Sequence, residues 1–175
     1  MDLKKSRDTF WVIDGLFKLL AIGSLVMGIY LAVQLLIYDH SVVSTTDRLV
    51  ILGFFYDGDL TAPQQAITST LSMLPQLLVW AFAFWLGSKI FYDLSEGLTP
   101  FSEIMYKRVG RIAKAILWLG ILQPEIYSLF ASFVSGKFYW SISLNLTLVM
   151  GLVLYSISAI FRYAISLQEL ADDTV

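Results

Sequence analysis

The sequence predicts an all-α integral membrane protein, with four transmembrane helices in an antiparallel bundle and both termini cytoplasmic. Three observations carry this. Apolar runs at residues 10–38, 66–92, 112–134 and 140–163 each reach the ~20 residues that cross a hydrocarbon core of ~30 Å. Of the twelve Lys and Arg residues, only Arg48 and Lys137 fall in segments that such a fold places outside, and cations mark the cytoplasmic side. With 57% hydrophobic and 15% charged residues, 1–175 reads as a single transmembrane domain with no room for a soluble one.

The first run follows Lys4, Lys5 and Arg7 and is much longer than a signal-peptide core, so it reads as a retained anchor. Asp14 and Lys18 lie four apart near its inner end, which puts them on one helix face as an ion pair that neutralises both charges. Residues 39–65 form the long outer loop. Within it Thr46 or Asp47 is placed to cap a short interfacial helix over the apolar stretch from Arg48 to Tyr56, which is too short to span. Asp57-Gly58-Asp59 reads as a solvated turn rather than a calcium loop, because the rest of an EF-type ligand series is missing.

The second span carries Pro75-Gln76 near its middle, and Gln76, Ala83 and Gly87 share a stripe that marks its inward face. Then comes a cytoplasmic elbow, residues 94–111. Gly97 suits a helix C-terminal cap, Thr99 an N-cap and Pro100 a first helical turn. From Pro100 the apolar residues Phe101, Met105, Val109 and Ile112 recur opposite Lys107, Arg108 and Arg111. An amphipathic segment of this kind runs along the inner interface, where its cations face lipid phosphate or dock a cytoplasmic partner.

Gln123-Pro124-Glu125 interrupts the third span. Each proline frees a carbonyl one turn earlier, so Gln76 and Glu125 mark two breaks at similar depth that need new donors. Gln34 and Asn145, on the first and fourth spans, are expected to join Gln76 and Glu125 in one intramembrane polar cluster. Glu125 there is either a structural pin or a proton or cation site. Ser135-Gly136-Lys137 makes a short turn into the fourth span, and the tail occupies residues 164–175.

Gly97, Pro100-Phe101-Ser102 with its basic helix, Ile160-Phe161-Arg162 and the Leu167-Gln168-Glu169 tail together resemble the bacterial four-span family catalogued as domain of unknown function 2975. The resemblance implies a multi-pass protein of the bacterial inner membrane, regulatory in role and accompanied by a small cytoplasmic helix-turn-helix regulator. It supplies no activity and no binding residue.

Enzymatic readings lack their residues. There is no cysteine, and the single histidine, His40, lies in the outer loop, so no catalytic dyad, haem ligation or metal cluster assembles and no cofactor is expected. The net charge of −2 argues against direct nucleic-acid binding. Two functions fit: a non-enzymatic regulatory or interaction protein that engages a cytoplasmic partner, or a small transporter or channel subunit using Glu125, for which four spans need a homo-oligomer. Reporter fusions after Val175 are expected to read cytoplasmic and fusions within residues 39–65 external; the reverse at either place defeats the four-span topology.

Overall fold

The computed structural model describes residues 3–37, 50–56 and 60–172. Its elements are helix α1 (Leu3–Ile37), strand β1 (Val50–Tyr56), helices α2 (Ala62–Ser95) and α3 (Glu103–Ser135), strand β2 (Trp140–Asn145) and helix α4 (Leu146–Asp172). All four helices are long and apolar enough to cross a membrane. At 35, 34 and 33 residues, the first three are about 50 Å long.

Helix termini follow their local chemistry. Thr61 and Gln64 form a capping box ahead of α2, with Pro63 in its first turn. At the other end Gly97 takes φ +94°, and the Leu98 and Gly97 amides donate to the Asp93 and Leu94 carbonyls at 3.0 and 3.1 Å. That is a Schellman stop, as Gly97 predicts. The next helix begins three residues later than expected. Ser102, not Thr99, is the N-cap, its hydroxyl accepting from the Met105 amide, so Pro100 and Phe101 belong to the link. From Glu103 the helix runs unbroken through Lys107, Arg108 and Arg111 to Ser135. The elbow is thus the first turns of α3 rather than a separate interfacial segment.

Packing is serial. The three extensive helix seams join α1 to α2, α2 to α3 and α3 to α4. A third of the apolar windows of α2 and α3 is buried (33%), against 11% for α1 and α4, so the inner helices hold the core and the outer two present apolar faces outward. Small residues permit the close approaches. A Cβ on Gly87 would meet the Phe17 ring at 2.5 Å, and one on Gly120 the Leu148 backbone at 2.5 Å. Gly151 fits equally tightly against the Leu117 backbone.

The first outer loop and the start of the fourth span depart from expectation. Residues 50–56 form a strand, not an interfacial helix, and pair antiparallel with β2 from Val50 opposite Asn145 to Tyr56 opposite Trp140. The expected caps Thr46 and Asp47 and the Asp57 to Asp59 turn lie outside the described residues. Residues 140–145, assigned by hydropathy to the fourth span, are extended, and α4 begins only at Leu146. In β2 the apolar Trp140, Ile142 and Leu144 are exposed while Ser141 and Asn145 are buried. That alternation, apolar outward and polar inward, suits a strand whose outer face meets lipid. Tyr139, just before β2, is buried.

Gly120→Ala is expected to lower stability in detergent by about 2 kcal/mol, because backbone rather than a flexible side chain must move. Gly15→Ala, at a position with open space around it, is expected to leave stability unchanged or slightly raised. Thermal unfolding of both variants checks the seam, and equal shifts would remove it as the cause.

Candidate functional site at the polar breaks and the basic end

Polar side chains concentrate in two places. The first is where α3 meets β2. Pro124 lacks an amide, so the Gly120 carbonyl one turn earlier loses its helical donor. Asn145 replaces it, its Nδ2 donating to the Gly120 carbonyl at 2.9 Å. The same side chain starts α4, because its Oδ1 accepts from the Leu148 amide at 2.8 Å, the N-cap to N3 geometry. Beside it the Ser141 hydroxyl lies 2.7 Å from that of Ser128 and donates to the Pro124 carbonyl at 3.0 Å. Thus β2 is fastened along α3 by three buried side chains.

This arrangement disperses the expected cluster. Gln76 donates to the Ser72 carbonyl at 3.1 Å within α2 and accepts from Gln123 at 3.4 Å across the α2/α3 seam. Gln34 donates to the Tyr30 hydroxyl of its own helix. Glu125 is exposed, a quarter-turn away from the buried Pro124, and among the described residues no hydrogen bond or ion pair joins it to Gln76, Asn145 or Gln34. Serial packing is the reason. Gln34 sits on the first helix of the row and Asn145 beside the third, whereas the expectation of four meeting side chains assumed a closed bundle. Three buried polar atoms, Gln34 Oε1, Thr68 Oγ1 and Gln123 Oε1, have no hydrogen-bond partner among the described residues.

At the opposite, basic end the expected ion pair forms. Lys18 Nζ lies 2.8 Å from Asp14 Oδ2, and the buried Asp14 also accepts from Ser88 Oγ at 2.6 Å. Lys18 sits over the Tyr92 ring at 5.5 Å. Sequence spacing gave the pair but not Ser88, which only the α1/α2 seam supplies. Arg7 Nε donates to the Ser95 carbonyl at 2.6 Å and so ties the start of α1 to the end of α2.

The elbow residues divide by partner. Arg108 donates to Asp93 Oδ2 at 2.6 Å and to the Lys89 carbonyl at 2.7 Å, a half-buried bridge from α3 to α2. Lys107 meets Glu103 at 2.8 Å, and its hydrogen bond and then its charge lower the Glu103 carboxyl pKa below the usual value. Phe101 packs edge-on against Phe161 of α4 at 5.6 Å, which draws the link toward the fourth helix, while Pro100 is exposed. Arg111 is exposed on the face of α3 that turns to α4. Asp93 escaped the sequence reading; the signal was an acid four residues after Lys89 at the end of the second span. No group of three or more His, Cys, Asp or Glu residues placed to hold a metal ion occurs among the described residues.

Asn145→Ala is expected to cost about 3 kcal/mol, since a carbonyl and an amide both lose a buried partner. Glu125→Leu, at an exposed position, is expected to stay within about 0.5 kcal/mol of the parent. Unfolding in detergent checks both, and a large loss in Glu125→Leu would put that carboxyl back among the structural contacts.

No family model, no curated protein and no solved structure matches this chain.

Proposed function

We propose that this chain is a non-enzymatic regulatory or interaction protein of the bacterial inner membrane that engages a cytoplasmic partner through its basic end. One observation carries the reading. Helix α4 does not stop at Arg162 but continues as helix through Asp172. Gly110, near the start of α3, faces Ser158, so antiparallel α4 residues beyond about 166 extend past the first residue of α3. On that extension Leu167 and Leu170, three residues apart on one face, are 48% and 63% exposed. A projecting helix with an apolar pair and acidic Glu169 offers a handle of the helix-in-groove kind.

The elbow contributes less than its sequence promises. Arg108 is committed to Asp93 and Lys107 to Glu103, which leaves Pro100, Phe101 and Arg111 beside the helix as accessible elbow residues. A small helix-turn-helix regulator, the partner implied by the family resemblance, suits this reading, with no direct nucleic-acid contact by the membrane chain. The transport reading uses Glu125 as a proton or cation site; Glu125 is exposed and has no hydrogen bond or ion pair to Gln76, Asn145 or Gln34 among the described residues, which favours the regulatory reading.

Affinity capture from membranes tests the proposal. Leu167→Asp with Leu170→Asp is expected to abolish recovery of a cytoplasmic partner while membrane insertion and unfolding temperature stay at the parent's values. Undiminished capture by that variant would refute the tail as the handle.

A further inference from the structure

The cations of the basic end are not used alike. Lys18 is neutralised by Asp14, Arg108 by Asp93 and Lys107 by Glu103. Arg111, Lys114 and Arg162 have no carboxylate partner among the described residues. These three, with Lys107, line one open cleft of about 280 Å³ between α3 and α4.

The helices themselves create the cleft. Gly110 lets the two helices approach closely at its wall, since a Cβ there would stand 3.1 Å from the hydroxyl of Ser158, itself buried on α4. Ser158, Tyr106 and Tyr155 add hydroxyl groups to the lining. Like charges gathered in a groove repel one another unless an anion joins them, and guanidinium, ammonium and hydroxyl donors together match phosphate oxygens. The surroundings indicate what carries the phosphate. Two turns outward from Lys114 on α3 stands Ile121, and two turns outward from Ala159 on α4 stands Leu152; both expose apolar surface, at 43% and 50%. Donors at the inner rim beneath exposed apolar helix faces fit a headgroup below and acyl chains above.

We propose that the cleft formed by Arg111, Lys114, Arg162 and Ser158 is a binding site for the phosphate of an anionic phospholipid. The site shares Arg111 with the accessible elbow but not the Leu167 and Leu170 pair that carries the docking reading, so either reading can fail alone.

The test uses the full chain in mild detergent, titrated with phosphatidylglycerol, with phosphatidylcholine of the same acyl length, and with inorganic phosphate, bound lipid being counted by native mass spectrometry. Phosphatidylglycerol is expected to bind at least roughly tenfold more tightly than phosphatidylcholine. Each of Arg111→Gln, Lys114→Gln and Arg162→Gln is expected to weaken it roughly fivefold, the equivalent of about 1 kcal/mol per cation near an anionic surface. Lys137→Gln, at the far end of α3, is expected to change nothing. Arg111→Lys with Lys114→Arg keeps both charges and is expected to retain most of the affinity, which separates lost charge from lost fold. Displacement of the lipid by millimolar phosphate would support phosphate as the recognised group. Equal binding of the two lipids, parent-like affinity in the triple Gln variant, or phosphate binding without phosphatidylglycerol binding would each overturn the proposal.

Discussion

A backbone carbonyl inside a membrane has no water to fall back on, and the hairpin end of this protein is arranged around one such group. Pro124 deprives the Gly120 carbonyl of its donor. Asn145 fills the gap with one end of its amide and with the other opens α4. To reach that carbonyl the chain must return alongside α3 in extended form, which is why β2 precedes the last helix. Ser141 reinforces the return on Ser128 and Pro124, and β1 then finds an edge to pair with. One proline thus bears on the start of a helix, the path of β2 and the edge on which β1 pairs.

Close packing in this fold comes from small residues rather than large apolar ones. Gly87 admits the Phe17 ring, Gly120 and Gly151 bring α3 and α4 backbones together, and the fully buried set includes Thr68 and Ser69 beside Leu31 and Met105. Lipid is as apolar as leucine, so large apolar side chains gain little by turning inward, and contact is won where backbones approach. The serial row follows. With α1 seated on α2 and α4 on α3, the two outer helices expose most of their apolar surface, and polar residues on separate seams do not meet.

Charge is sorted at the basic end by the same seams. Asp14 and Asp93 each lie where a neighbouring helix or turn delivers a cation and a further donor or acceptor, so those charges are settled within the protein. Arg111, Lys114 and Arg162 line one cleft on the α3/α4 seam, where among the described residues no acid pairs with them, and Gly110 lets the Ser158 hydroxyl of α4 come close beside them. The projecting end of α4 is a separate surface, apolar at Leu167 and Leu170 where the cleft is charged.

Local chemistry and hydropathy were enough, in the sequence alone, for the four membrane-length helices, the Gly97 stop, the Gly136 turn and the Asp14–Lys18 pair, because each is set by residues within a few positions of one another. The inward stripe of Gln76, Ala83 and Gly87 was equally legible, since helical spacing alone puts them on one face. The strands were not read, although Trp140, Ser141, Ile142, Ser143, Leu144 and Asn145 alternate with the period of two that marks a strand; their hydropathy merged with that of α4. Residues 50–56 lack that alternation but hold β-branched and aromatic residues that favour a strand, and β2 offers the edge with which they pair. The partners of Pro124, Arg108 and Asp14 in Asn145, Asp93 and Ser88 depend on which helices adjoin, as does the convergence of Arg162 with Arg111 and Lys114. Tertiary structure alone decided those contacts, because a row and a closed bundle share the same hydropathy yet bring different side chains together.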